Sequence, residues 1–271
     1  VHRQIECGYP IIGTGAGSGL AARAEEAGGA DLIIIYNSGR FRRAGFSSLA
    51  GLFAFGDANQ IVLELAHEIL PVVSDTPVVA GVNSADPFRH MPLFLKQLQT
   101  LGFSGVQNFP TAGIYEGTLR AAMEQTGFGF DKEIEMIALA HQMDLFTSPY
   151  VFTPEEAAAM TEAGADLIVP HVGLTVTGTV GATFALSLDQ AIHNTLTIAD
   201  AARRVRDDVL VVCHGGPFDQ PDNVGKALGQ MPGIVGLYGS SNIEQLPAER
   251  AIEQQVSAFK ALRLENSDHD M

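Results

Sequence analysis

Eight short apolar runs rich in β-branched residues recur along the chain, and this repetition limits the fold more than any other feature. They are PIIGTG from Pro10, DLIIIYNS from Asp31, PVVAGVNS from Pro77, GVQNFP from Gly105, LFTSPYV from Leu145, DLIVPHVG from Asp166, VLVVCHGG from Val209 and GIVGLYGSS from Gly233. Between them lie stretches of helical period, such as the one carrying Phe94, Leu95, Leu98 and Leu101 and the last, carrying Ile252, Val256, Phe259 and Leu262. Nearly continuous apolar strands suit a parallel sheet covered by helices. Eight such units in about 250 residues is the arithmetic of an α/β (β/α)8 TIM barrel. A doubly wound open sheet is the alternative, although so even a spacing is unusual for it.

Two helix-to-strand joints read nearly alike, EEAGGADLIIIY and TEAGADLIVP: glycine ends the helix and Asp opens a strand. No linker or low-complexity run interrupts the pattern, so residues 1–264 are expected to form one barrel domain, with a polar tail at 265–271. Two segments are too long for plain connectors: 38–58 after the second strand and 173–187 after the sixth. Each is read as a lid over a ligand or as a contact with another subunit, and Phe41, Phe46, Phe53 and Phe55 in the first favour a homo-oligomer.

The net charge of −15 argues against nucleic acid and anionic membranes as partners. No apolar run reaches the length of a membrane span, and the first residues lack a signal-peptide pattern. Two distant cysteines, Cys7 and Cys213, then read as reduced thiols of a cytoplasmic protein. A small anionic substrate is still compatible with the charge, because a local cluster of donors overrules a global field. GRFRRAGF, with Arg40, Arg42 and Arg43, is the strongest such cluster.

Barrel chemistry sits at the carboxyl ends of the strands. His171 and His214 fall there at matching offsets and are the candidate catalytic pair, as acid, base or oxyanion donor. Asn83, Asp86 and Asn108 at earlier strand ends would orient a substrate. Gly216 in HGGP, with Ser240 and Ser241 in YGSSN, would donate to its anionic end, and Ser18 in GTGAGSG is a second donor. Two histidines with Asp86 or Glu116 make an adequate donor set for Mg or Zn, yet no HxH or HExxH spacing marks a divalent metal site. The metal ligands therefore stay unassigned. Cys213 precedes His214 on a strand and points to the other face, so the two cannot form a dyad. Lys96, Lys132, Lys226 and Lys260 all fall in helices or at a helix start, which argues against a Schiff-base mechanism.

The segments YEGTLRAAMEQTGFGFDKEIEMIALAH, TSPYVFTPEEA, PHVGLT, CHGGP and GSSNIEQLPAE give the chain a further character. It resembles the phosphoenolpyruvate hydrolase-like family, or TIM-barrel signal transduction proteins, over nearly its whole length. That family is grouped with the phosphoenolpyruvate mutase and isocitrate lyase barrels, which make or break bonds beside a 2-oxo acid. The resemblance implies a hydrolase or lyase that cleaves a C–C or C–P bond adjacent to a carbonyl, in a phosphoenolpyruvate- or phosphonopyruvate-like substrate. Those relatives hold magnesium on Asp residues after strand three and an acidic motif after strand four. This chain has VAGVNSADP and VQNFPTAG, so Asn83 and Asn108 stand in those places and Asp86 is the substitute carboxylate. The competing class is a barrel that senses a metabolite without turning it over.

Overall fold

The computed structural model describes residues 2–174 and 186–263. Helix α1 (His2–Glu6) precedes β1 (Ile11–Ala16), α2 (Gly19–Ala27), β2 (Leu32–Ile35), α3 (Asn37–Arg43) and α4 (Ala58–Ile69). There follow β3 (Val78–Val82), α5 (Met91–Leu101), β4 (Gly105–Asn108), α6 (Gly117–Gln125) and α7 (Asp131–Gln142). The second half contains β5 (Phe146–Thr147), β6 (Tyr150–Val151), α8 (Pro154–Glu162), β7 (Leu167–Pro170) and α9 (Leu188–Val205). It ends with β8 (Leu210–Val211), β9 (Cys213–His214), α10 (Pro221–Leu228), β10 (Gly236–Gly239) and α11 (Gln245–Lys260).

Polar caps set several of these helices. Ser18 accepts from the Ala21 N–H at the start of α2, Asp57 from Gln60 at α4, and Thr153 from Glu156 at α8, where Pro154 takes the first turn. Gly102 ends α5 at φ +108°, a conformation that a side chain would resist. The two look-alike joints have a common purpose. Asp31 accepts from the backbone N–H of Ile12 at 2.9 Å, and Asp166 from that of Thr147 at 2.8 Å. In each, the carboxylate that opens one strand ties it to an earlier strand, β2 to β1 and β7 to β5.

Every strand pairing is parallel. Seven strands form a curled sheet in the order β5-β4-β3-β2-β1-β10-β9, and β6-β7-β8 form a second sheet. The fifth and seventh sequence runs, expected as single strands, are each split in two. Pro149 has no N–H to give to a ladder, and its carbonyl accepts from Val169 instead. Val212 sends its N–H back to Ile168, while Val211 accepts from Val235 on the other side. The chain thus changes neighbours at both breaks. A parallel bridge between His171 and His214 joins the two sheets again.

Alternation along the strands separates two apolar layers. Leu32, Ile34 and Tyr36 join Val79, Phe109, Leu167, Val169, Val212 and Tyr238 in an inner cluster. Ile33, Ile35, Val78, Ala80, Ile168 and Cys213 face the other way, against the helices. The segment after β2, too long for a plain connector, forms α3 and a 3-10 turn at Ser48–Leu52. Of the segment 173–187, residues 175–185 lie outside the described residues, as does the expected tail at 265–271. The expected apolar stripe of α11 does not pack inward. Ile252, Val256 and Phe259 are 66%, 61% and 65% exposed. Among the described residues, no helix is long and apolar enough to cross a membrane.

Candidate active site

The bridge between the sheets places the two histidine rings together. Their centroids are 4.8 Å apart at an interplanar angle of 63°. Tyr150 lies 5.2 Å from His171 and 4.8 Å from His214, and Phe152 stacks on His171 at 5.0 Å. Both imidazoles line one cavity of about 430 Å³. Burial, with His214 beside it, holds His171 well below the ordinary imidazole range. Burial also lowers His214 to about 4, against the opposing effect of its bond to the Tyr238 carbonyl. Both rings are neutral at pH 7.

Their hydrogen bonds assign opposite tautomers. The Tyr238 carbonyl, 2.9 Å from His214 Nδ1, has no proton to give, so Nδ1 carries the hydrogen and Nε2 keeps a lone pair. The Gly173 N–H donates to His171 Nδ1 at 3.2 Å, so that ring carries its hydrogen on Nε2. One imidazole offers the cavity an acceptor and the other a donor.

A buried arginine forms the second part of the site. Arg42 on α3 is 3% exposed and lines the cavity. Its Nε donates to Glu244 at 2.8 Å, its Nη1 to Ser38 at 3.0 Å and to Ser48 at 3.4 Å, and its Nη2 to the Gly15 carbonyl at 2.9 Å. Ser38 and Ser48 accept from the guanidinium, so their own O–H groups remain to donate elsewhere. Ser48 Oγ lies 3.2 Å from Ser241 Oγ, and Ser240 and Ser241 line the same cavity. The wall is completed by Tyr36, Phe109, Leu49, Leu52, Ile114 and Leu246.

Four of the residues named from sequence therefore meet at one cavity: His171, His214, Ser240 and Ser241. The other five candidate site residues, Ser18, Asn83, Asp86, Asn108 and Gly216, do not line it. Asn108 is fully buried and joins β4 to β6, its Nδ2 donating to the Tyr150 carbonyl and its Oδ1 accepting from the Tyr150 N–H. Its Nδ2 also donates to Glu133. Asn83 gives its N–H to Asn59, whose side-chain amide donates to Asp86 and to the Asn83 carbonyl. Asp86 also accepts from Phe88 and pairs with Arg89 at 3.3 Å. Neither Asn83 nor Asp86 lines the cavity. Gly216 sits at φ +53° and spends its N–H on the Gly173 carbonyl at 2.9 Å, so HGGP is a turn that locks two loops. In GTGAGSG, the Gly17 N–H donates to Glu244, and Ser18 opens onto a separate cavity of about 630 Å³ beside α11. Cys213 faces the helix layer, where burial pushes its thiol up to about 12. None of the four lysines lines the histidine cavity.

The sequence marks Ser38 only as one of many polar strand-end residues, does not separate Arg42 from its neighbours, and gives no sign of Tyr36 and Ser48 as cavity residues. Arg40 and Arg43 pair with Glu64 and Glu68 at the surface, leaving Arg42 as the inward member of the cluster.

A family model described as phosphoenolpyruvate hydrolase-like matches residues 1–262. The chain belongs to that family. A tomato (Solanum lycopersicum) relative, the ToMV susceptible protein tm-1(GCR26), is 54% identical over 262 residues, which are 97% of this chain and 35% of that protein. The chain thus spans about a third of the length of that relative. Among solved structures, phosphonopyruvate hydrolase in complex with oxalate and Mg²⁺ shares 15% identity at a TM-score of 0.58, covering 95% of this chain and 86% of that one. Oxaloacetate acetylhydrolase in complex with the product oxalate shares 14% at 0.61, covering 100% and 89%. A third, 2,3-dimethylmalate lyase, is a phosphoenolpyruvate mutase/isocitrate lyase superfamily member, with 16% identity and a TM-score of 0.56 over 99% and 89%. These likenesses extend the phosphoenolpyruvate hydrolase-like assignment to the fold of that superfamily.

Proposed function

We propose that this chain is a hydrolase or lyase that cleaves a C–C or C–P bond beside the carbonyl of a 2-oxo-acid-like substrate. The observation that carries this reading is the histidine pair, held at 4.8 Å with an acceptor on one ring and a donor on the other. His171 Nε2–H polarises the carbonyl oxygen, stabilising the negative charge that develops there when the adjacent bond breaks. His214 Nε2 removes a proton from the attacking water, or from a substrate hydroxyl in a lysis, and returns it to the leaving fragment. The hydroxyls of Ser38, Ser48 and Ser241, backed by Arg42, hold the carboxylate. The names of the solved neighbours, a phosphonopyruvate hydrolase and an oxaloacetate acetylhydrolase, support the bond class.

The same proposal takes the two sheets as one closed (β/α)8 barrel of a single domain, since β5 and β6 are separated only by Ser148 and Pro149 and β8 and β9 only by Val212. It also includes a homo-oligomer, supported by the outward Ile252, Val256 and Phe259 of α11. The test is incubation of the purified protein with a panel of 2-oxo acids and phosphonopyruvate, with products followed by mass spectrometry. Product formed by the parent and lost in His214→Ala supports the reading, whereas equal turnover by the variant removes His214 from the chemistry. A thermal shift with ligand and no product from any compound favours a metabolite sensor.

A further inference from the structure

We infer that the histidine cavity takes a singly charged carboxylate with a ring-sized apolar body, and holds it through Arg42 and serine hydroxyls rather than through a divalent metal. This rests on the reading of that cavity as the site of reaction, and it departs from the small oxalate and Mg²⁺ seen in the solved phosphonopyruvate hydrolase.

The donor set decides the metal. Among the described residues, no Asp or Glu lines the cavity. Carboxylates outside that wall have other tasks. Glu244 holds Arg42 and the Gly17 N–H. Glu133 accepts from Asn108, Thr111 and Ala112. Asp86 is held by Asn59 and Arg89. Magnesium binds through hard oxygen anions, and two imidazoles alone leave zinc short of the three or four protein ligands it takes. Nor do the described residues form any other cluster of metal-ligating side chains. The residues present do not fit the metal.

Charge and shape decide the ligand. The wall holds one cation, Arg42, already matched by Glu244, beside two neutral imidazoles. One negative charge can be met by the hydroxyls that the guanidinium polarises. A second would be desolvated with no partner. At about 430 Å³, the cavity falls in the size range of sites that enclose drug-sized ligands, far above what oxalate fills. Phe109 packs edge-on to Tyr36 at 5.3 Å, and Leu49, Leu52 and Leu246 complete an apolar wall suited to a ring.

Three probes test this by isothermal titration calorimetry on the full chain: phenylpyruvate, pyruvate and oxalate, each in EDTA and in excess Mg²⁺. The expected result is phenylpyruvate bound about tenfold or more tighter than pyruvate, with less than a twofold change between EDTA and Mg²⁺. Oxalate binding that appears only with Mg²⁺, pyruvate bound as tightly as phenylpyruvate, or no binding of any probe overturns the inference. Leu52→Trp, on a half-buried turn at the cavity wall, gives a second measurement that leaves Arg42 in place. It should weaken phenylpyruvate about tenfold and pyruvate less than twofold, and equal weakening of both also overturns the inference. Phenylpyruvate binding without any product leaves this inference standing and removes the catalytic reading. Mg²⁺-dependent turnover of phosphonopyruvate without phenylpyruvate binding does the reverse.

Discussion

Replacing Glu244 by Gln should destabilise the fold while leaving its shape nearly unchanged. The Arg42 and Glu244 side chains are 1% and 9% exposed and meet at 2.8 Å. The substituted amide can still accept from the Gly17 N–H through its one oxygen, but it then turns N–H groups toward the Arg42 Nε–H. Arg42 keeps its bonds to Ser38, Ser48 and the Gly15 carbonyl, all neutral, and becomes a buried charge without a counter-ion. Breaking one side of such a pair costs about 3–5 kcal/mol. Because one acceptor survives, the lower end, about 3 kcal/mol, is expected. For a chain of this size that is a fall of about 6–12 °C in Tm. Urea unfolding supplies the free energy and calorimetry the midpoint. Removing both charges in Arg42→Met/Glu244→Gln should cost less than the sum of the two single changes, by about 2 kcal/mol. A single Glu244→Gln change below about 1 kcal/mol, or strict additivity in the double variant, would refute the claim that a buried ion pair anchors this corner.

Four further outcomes are expected. Burial raises the Glu25 carboxyl from 4.5 to about 7, with the Thr14 hydroxyl opposing it. Between those values the folded chain keeps a proton that the unfolded chain has released, so stability falls as pH rises from 4.5 to about 7, on the order of 3 kcal/mol for this group. Glu25→Gln should flatten that slope in urea unfolding at pH 5 and pH 8. His214, lowered to about 4, acts in the opposite sense: its contribution is full above 6.5 and is lost as pH falls through about 4. On an identified substrate, His171→Gln and His214→Gln should each lower kcat about 10²–10⁴-fold, and a loss below fivefold in both counts against the pair. Phe259→Glu should shift the mass measured by light scattering toward one chain, and an unchanged mass would exclude α11 from the contact.

The strand pattern was legible because parallel strands covered by helices must be apolar on both faces, and eight such runs stand out. The breaks in the fifth and seventh runs were less so: Pro149 marks one, but nothing local marks Val212. The histidines were legible because their offsets match, and residues at matching offsets of adjacent parallel strands point the same way. Asn108 was less legible for the converse reason. A polar residue at a strand end can turn toward the hollow or spend its amide on the neighbouring backbone, as Asn108 does with Tyr150. Only the third dimension distinguishes these. Arg42 was hidden among three arginines because the sequence does not give the helix phase that sends it inward and its companions toward Glu64 and Glu68. The α11 stripe carries the pattern of a packed helix, and periodicity does not say whether the surface that covers it belongs to the same molecule.

The corner around Arg42 is stitched from residues far apart in the chain: Arg42 with Glu244, Gly17 with Glu244, and Ser48 with Ser241. During synthesis on the ribosome, the guanidinium therefore waits for its counter-ion until the chain has emerged through Glu244. A nascent chain that stops short of Ser240 has Arg42, Ser38 and Ser48 but lacks both Ser241 and the Glu244 counter-ion. Ligand recognition then depends on translation through this corner, and a truncation ending before Ser240 should fail to bind the probes that the full chain captures.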